Sequence, residues 1–488
     1  MSPTGNDPVG LARSAEDVPV KHDISYLLRI CSVAALGGLL FGYDTSVVSG
    51  AIEPLRIAFG LSAAETGWAV SNVVVGCIFG AMMAGFLANR FGRRITLFLC
   101  ALLFTVQSVG AALAPDFFWF VVYRLTGGIA VGIASVVSPM YMSEVSPKNM
   151  RGRAVSMNNF AIIFGQIVVF IVNYLIARSA TEAWLHSMGW RWMFASEVVP
   201  CVLFCAVIFF IPESPRWLML IGREERAKKA LTRISNEKHA LELMGEIRES
   251  INEAIGNKKV TLRELLNDFN ARWLVFVGFM IAGCQQIMGV NVMMYYAPMV
   301  LKSSSGDMVE ALFQTIWIGV AQLIGNAIGV ALVDRKGRRP LIAVGSVGVI
   351  LSLLVVSWSM YMKTGTGLML TGMLAYMVFF GMSWAPLAWT LVSEIFPNRC
   401  RGLGMSIACS SNWIFNFTVA QSFPMLNENP WLLERFHGAF SMWLFAGLGL
   451  FSFWFVMRFV PETNGVSLEK IEETMMRYAP GRRREGRA

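Results

Sequence analysis

The sequence predicts an all-α membrane protein of twelve transmembrane helices, built as two six-span halves duplicated in tandem. Three observations carry this. Of 488 residues, 55% are hydrophobic and only 15% are charged, and the mean hydropathy is positive, a balance foreign to a soluble domain. Apolar runs of bilayer-crossing length recur at 24–50, 66–88, 95–114, 117–142, 154–177, 192–211, 273–300, 309–333, 340–361, 367–392, 403–423 and 438–460. Three polar motifs then return at nearly one spacing. Asn89-Arg90-Phe91-Gly92-Arg93-Arg94 recurs as Asp334-Arg335-Lys336-Gly337-Arg338-Arg339, Ser143-Glu144-Val145-Ser146-Pro147 as Ser393-Glu394-Ile395-Phe396-Pro397, and Pro212-Glu213-Ser214 as Pro461-Glu462-Thr463. An even number of spans per half makes the two copies parallel.

Residues 1–22 are polar, lack the apolar core of a signal peptide, and are expected to form a disordered cytoplasmic tail. Residues 23–212 are the first six-helix bundle. Residues 213–270 are charged and helix-prone, with Glu224/Lys228 and Glu225/Lys229 at favourable i,i+4 spacing, and read as a cytoplasmic helical linker. Residues 271–461 are the second bundle, and 462–488 a cytoplasmic tail with a short helix around Leu468–Met476. Small-residue pairs Gly76/Gly80, Gly128/Gly132 and Gly325/Gly329 let neighbouring helices approach closely.

The net charge of +9 raises the question of nucleic acid, and its placement answers it. With the N-terminus in the cytoplasm, Arg56, Arg178, Arg191, Lys302, Lys363 and Arg435 fall outside and Arg124 within a span. Every other Lys and Arg falls on the cytoplasmic side. That is the positive-inside bias, so nucleic acid is not an expected partner and both termini are expected in the cytoplasm. The eight cysteines lie mostly in apolar segments and form no CxxC pair, so neither disulfides, metal nor cofactor is expected. Short exterior loops favour a bacterial inner membrane.

The densest polar chemistry within the apolar runs is Gln285-Gln286-Ile287-Met288-Gly289-Val290-Asn291, followed by Tyr295-Tyr296-Ala297-Pro298. On a regular helix Gln285 and Gln286 point about 100° apart and Asn291 roughly 140° further round. No single face hides all three amides from lipid. Either protein surrounds the helix, or Gly289 and Pro298 break it around a cavity. Amides and tyrosine hydroxyls suit a neutral molecule covered in hydroxyl groups; amides that only join helices are the plainer alternative. Gln166, Trp384, Trp389, Trp413 and Asn416 are further polar residues within spans, the indoles suited to a sugar's C–H face or to ordinary packing. Asp44 in the first span is costly, roughly 2.5–3.5 kcal/mol, and Arg124 is its candidate partner. Such an acid is either a proton carrier or half of a static strut. Glu197 is a second buried acid, placed nearer an exterior end.

The repeated motifs all fall at cytoplasmic span ends. Arg90, Arg93, Glu144, Arg151, Glu213, Arg335, Arg338, Glu394 and Arg401 read as ion-pair clasps between helix ends, since topology alone asks only for cations.

These motifs together resemble the sugar porters of the major facilitator superfamily over essentially the whole chain, most closely the bacterial proton-coupled D-xylose type. The resemblance rests on Gly42-Tyr43-Asp44, Arg90 to Arg94, Pro139 to Arg153, Pro212-Glu213-Ser214-Pro215-Arg216-Trp217-Leu218, Gln285 to Pro298, Asp334 to Arg339 and Pro461-Glu462-Thr463-Asn464-Gly465. It implies two six-helix bundles around a central site, worked by alternating access. It implies sugar contacts at Gln166, Gln285, Gln286, Asn291, Trp389, Trp413 and Asn416, an exterior gate at Tyr295 and Tyr296, and proton coupling through Asp44, Arg124 and Glu197. The clasps are then expected to open as the halves rock. Asn89, Met288, Ala385 and Gln322 depart from the family pattern, and the last three border the presumed site. The expected function is therefore proton symport of a pentose or hexose such as D-xylose, D-glucose, arabinose or galactose by a monomer. A proton-independent facilitator, a polyol or inositol transporter and a transporter-like sugar sensor are the alternatives. An enzyme is not expected, because the chain has no nucleotide loop, no GxSxG elbow and no HExxH.

Overall fold

Each apolar run folds as helix in the computed structural model, which describes residues 23–147, 150–256, 262–397, 400–463, 474–476 and 478. The expected tail 1–22 and most of the short helix around Leu468–Met476 lie outside the described residues. The first half holds α1 (Ile24–Phe59), α2 (Ala63–Phe91), α3 (Arg93–Leu113), α4 (Phe117–Val145), α5 (Arg151–Arg178) and α6 (Glu182–Phe210). Short helices α7 (Pro215–Leu220), α8 (Glu224–Thr232), α9 (Glu237–Gly256) and α10 (Leu262–Asn267) follow. The second half holds α11 (Phe269–Ile287), α12 (Val290–Tyr295), α13 (Ala297–Ser305), α14 (Met308–Lys336), α15 (Arg338–Met362), α16 (Thr366–Met382), α17 (Trp384–Ile395), α18 (Arg401–Asn427), α19 (Pro430–Phe436) and α20 (Phe440–Phe459).

Among the described residues, eleven helices are both long and apolar enough to cross a membrane. The twelfth expected span is α18. Its 27 residues reach about 40 Å, ample for a bilayer, but Ser411, Asn412, Asn416, Thr418 and Gln421 lower its hydropathy. It packs along α2 and α11, with Ser411, Asn412 and Asn416 buried, while Thr418 returns its hydroxyl to the Ile414 carbonyl of its own helix.

Two of the expected spans are broken, as amide-rich membrane helices with glycine or proline can be. α11 stops at Ile287, Gly289 takes φ +86°, and α12 runs only to Tyr295 before Pro298 starts α13. The tenth span is interrupted at Ser383, between α16 and α17.

Helix pairs approach to backbone contact. A Cβ at Gly76 would enter the Leu125 carbonyl, and one at Gly128 the Val73 carbonyl, locking α2 to α4. Gly325 and Gly329 meet the Val378 and Met382 carbonyls in the same way, locking α14 to α16. Gly42 and Gly165, facing the Ile162 and Leu39 carbonyls, join α1 to α5 by the same device, which the sequence reading passed over.

The halves meet along α2 with α18 and α5 with α14. At the end opposite the repeated Glu–Arg motifs, charges strap them together. Arg56 on α1 grips Glu428 with two hydrogen bonds, at 2.5 and 2.8 Å, and Lys302 on α13 binds Glu53, one helical turn before Arg56. Beneath them, Gln421 on α18 accepts from Ser71 (2.7 Å) and donates to the Ala64 carbonyl (2.9 Å). This end of the molecule is closed.

The linker helices have a small apolar core of their own around Leu218, Ala227, Leu231, Ala240 and Met244. Their charges pair between helices and not along one turn of α8. Lys228 binds Glu237 (2.7 Å) and Glu224 binds Arg248 (2.6 Å), in place of the expected i,i+4 contacts. Packing α9 beside α8 offers nearer partners than α8 does itself.

Candidate functional site

The broken helices aim their amides inward. Across the Gly289 break, Asn291 donates its Nδ2 to Gln286 Oε1 (2.5 Å). Gln285 donates to the carbonyl of Trp384, the first residue of α17 (2.9 Å), and accepts from Asn412 Nδ2 (2.8 Å). Gln285 thus joins both broken spans to α18, and its donor and acceptor are both engaged by protein. Tyr296 is likewise a pin: its buried hydroxyl donates to the Ala420 carbonyl (2.8 Å), with its ring against Phe423. Tyr295 is buried with its hydroxyl beside Asn416. Trp384 is core, its indole N–H on Ser346 (2.8 Å).

A different set is left without partners. Gln166 Oε1 on α5, Gln322 Oε1 on α14, and Trp413 Nε1 and Asn416 Oδ1 on α18 are buried polar atoms with no hydrogen bond among the described residues. Each such atom costs roughly 1–3 kcal/mol unless something fills the place. They come from both halves, and Trp413 faces Phe41 of α1 across the divide (6.2 Å). Three carbonyl acceptors, one indole donor and aromatic faces are the chemistry that suits a hydroxylated ligand. Asn412 was not singled out from the sequence, although an amide within an apolar run and one turn from Asn416 was the available signal.

A second cluster lies wholly within the first half. Asp44 on α1, Gln107 on α3, Arg124 on α4 and Glu197 at a turn inside α6 are all fully buried. Arg124 Nη1 donates to Asp44 Oδ1 (2.6 Å), and Gln107 Nε2 donates to the same oxygen (2.5 Å). The guanidinium also lies over the Phe194 ring (5.4 Å). Tyr43, beside Asp44, hydrogen-bonds Ser196, beside Glu197 (2.7 Å), so α1 and α6 bring the two acids within electrostatic reach of each other and of Arg124. Neither Glu197 oxygen has a hydrogen-bond partner among the described residues. Two carboxyls and one guanidinium are neutral only when one proton rides on them, and an unbalanced charge cannot be buried cheaply.

The repeated motifs form matching clasps. Arg93 binds Glu144 (2.8 Å), Ser214 donates its hydroxyl to Glu144, and Glu213 accepts the backbone N–H groups of Arg93 (2.9 Å) and Arg94 (3.2 Å). In the second half Arg338 binds Glu394 (3.0 Å), Thr463 donates to Glu394, and Glu462 accepts the N–H groups of Arg338 (3.0 Å) and Arg339 (2.9 Å). A carboxylate on a helix N-terminus satisfies unpaired N–H groups and the helix dipole together. Burial pushes the Glu213 carboxyl above its usual range, against the pull of those N–H donors. Arg151 and Arg401 each donate to a carbonyl just before their own helix, Ser143 and Phe396.

Two clasp assignments are corrected. Arg90 and Arg335 are exposed and make no bond among the described residues. The intervening glycines, Gly92 at φ +91° and Gly337 at +84°, turn the chain so that the residues after them point inward. Arg94 and Arg339 are used instead, on the Ile211 and Met457 carbonyls. The Asn89 side chain accepts a long contact from Arg93 (3.4 Å) and its carbonyl accepts the Trp217 indole N–H (2.9 Å), while the side chain of Asp334 lies outside the described residues. In this conformation each clasp ties helices of one half.

Twelve spans in two halves, with broken helices beside a polar centre, define a transporter of major facilitator architecture. The chain belongs to the sugar (and other) transporter family, whose model matches residues 30–475. It is 40% identical to the D-xylose-proton symporter of Escherichia coli (strain K12), over 93% of this chain and 96% of that one. It is 34% identical to the arabinose-proton symporter of Bacillus subtilis (strain 168), over 94% and 97%. An inward-open structure of the xylose transporter XylE from E. coli matches with a TM-score of 0.81 at 38% identity, over 92% of this chain and all of that one.

Proposed function

We propose that this protein is a proton-coupled symporter of a monosaccharide, a pentose or hexose, that works by alternating access as a monomer in a bacterial inner membrane. Both termini, the clasps and the 213–270 linker face the cytoplasm, following the positive charge. The strapped end faces outside, so the conformation is open inward, in keeping with the inward-open relative. The observation that carries the reading is the set of unpartnered buried atoms on Gln166, Gln322, Trp413 and Asn416, drawn from both halves. A sugar ring supplies the hydroxyls they lack, with Gln286, Asn291 and Trp389 around it and Tyr295 above. Gln285 acts by holding the broken helices in register. The Asp44–Arg124–Glu197 centre carries the proton. Relatives named as proton symporters of D-xylose and arabinose support the substrate class.

Uptake of labelled pentoses and hexoses into energised vesicles tests this. Saturable uptake of at least one sugar is expected to rise above its outside concentration and to collapse to equilibrium with a protonophore. Accumulation that ignores the protonophore defeats the coupling. Absence of saturable uptake for every pentose and hexose defeats the substrate class.

The outer straps make a further prediction. Each exposed pair contributes roughly 0.2–1 kcal/mol, so breaking both moves the conformational equilibrium by about two- to thirtyfold. In a Glu53→Lys, Glu428→Lys double variant, a cysteine placed at Ser71 is expected to react with an impermeant maleimide faster by a factor in that range. An unchanged rate means that the straps do not hold the closed end.

A further inference from the structure

Asp44 is held asymmetrically. Its Oδ1 receives two donors, Arg124 Nη1 at 2.6 Å and Gln107 Nε2 at 2.5 Å, while its Oδ2 receives none among the described residues. Gln107 is fully buried on α3, and its own Oε1 is also without a partner. The neighbouring helix makes room for it: a Cβ at Gly127 on α4 would run into the Gln107 side chain. An amide placed with such care against a carboxylate, with one of its two polar atoms unused, is not explained by packing.

The two donors differ in kind. A guanidinium can only donate, so it serves the ionised acid alone. A carboxamide donates through nitrogen and accepts through oxygen. We infer that Gln107 is a positioning residue for the proton site, partnering Asp44 in both of its protonation states. With Asp44 ionised, Nε2 donates to Oδ1. A proton delivered by a hydronium ion, which leaves as water, bonds to the bare Oδ2, with no covalent bond broken in the protein. Rotation of the carboxyl about its Cβ–Cγ bond turns the new O–H toward Gln107, and a half-turn of the amide lets Oε1 accept from it. The unused oxygen of Gln107 is the partner that the protonated acid needs.

The groups facing Asp44 are few. Arg124 lies on α4, Glu197 on α6 and Gln107 on α3, with Tyr43 beside it on α1. Cys77 of α2, Cys201 of α6 and Tyr295 of α12 lie within electrostatic reach. Of these, Gln107 alone is a permanently neutral side chain bonded to the carboxylate.

The test is the pH profile of sugar accumulation in Gln107→Met, a swap of similar volume without hydrogen bonds. Gln107→Met removes a partner from both forms of the acid, but the bond to the ionised form is charge-assisted and the stronger of the two, so its loss makes protonation easier. The pH at which accumulation is half lost is expected to move upward by about one unit, while sugar counterflow at saturating substrate stays within about twofold of the parent. Gln107→Asn, whose amide falls one methylene short, carries the same expectation if the Met variant does not reach the membrane. A uniform loss of rate at every pH, with the midpoint unmoved, overturns the inference and leaves Gln107 as structural. The inference rests on proton coupling, and the outcomes separate: a parent protein whose accumulation ignores pH defeats the coupling, whereas a pH-dependent parent matched by its variants defeats only the role of Gln107.

Discussion

Asp44→Asn is expected to abolish accumulation of sugar against a gradient while leaving exchange of labelled for unlabelled sugar close to the parent rate. The charge count in the buried centre explains why both halves of the result belong together. Under the proposed coupling, two buried carboxyls and Arg124 reach neutrality only with a proton aboard, so the sugar-loaded carrier takes one inward and releases it there. In the variant, Glu197 and Arg124 balance each other, and the empty and loaded carrier can both turn over without a proton. A proton crossing 100 mV releases about 2.3 kcal/mol. At about 1.4 kcal/mol per tenfold that sustains roughly a 40-fold sugar gradient, and all of it is lost. Parallel measurements of net uptake and of counterflow in proteoliposomes decide the matter. Net uptake that still exceeds equilibrium removes Asp44 from the coupling.

Gly42→Ala is expected to destabilise the whole first half, although it adds one methyl group. That methyl enters the Ile162 carbonyl of α5, a backbone atom that cannot rotate aside. α1 and α5 must separate, and with α1 moves Asp44, two residues along. Overpacking of this kind costs about 1–3 kcal/mol or more. The melting temperature of the purified protein is expected to fall clearly, with less protein recovered from membranes. Gly85→Ala on α2 is the control, because nothing lies within 4 Å of the added carbon. A melting temperature for Gly42→Ala equal to that of the control contradicts the close contact.

Much of this architecture was legible in the residues themselves. The recurring motifs fixed two parallel halves because their spacing is a property of the chain and needs no contacts. Gly289 and Pro298 gave away the broken helix, because an amide cluster in lipid is expensive wherever it points. The run at 403–423 marked α18 in the sequence, although its amides and hydroxyls make it the least apolar of the twelve spans. Gln285 and Gln166 look alike in sequence, yet one is consumed by Trp384 and Asn412 while the other has an idle oxygen. Only coordinates separate them. The exchange of Arg90 for Arg94 depended on the turn at Gly92, which sequence spacing does not encode. Gln107 was unmarked because a single amide in a span is usually mundane; its meaning comes from Asp44, far away along the chain.

The matching fastenings at Glu144 and Glu394 bear on how the machine bends. Each binds the ends of its own set of helices. Under the proposed cycle the interruptions at Gly289 and Ser383 are the natural knuckles of the second block. The first block has its own, the turn at Ser196 and Glu197 inside α6, set against the buried Asp44–Arg124 pair. A stiffening substitution at any of these three places is expected to slow the cycle without unfolding the protein.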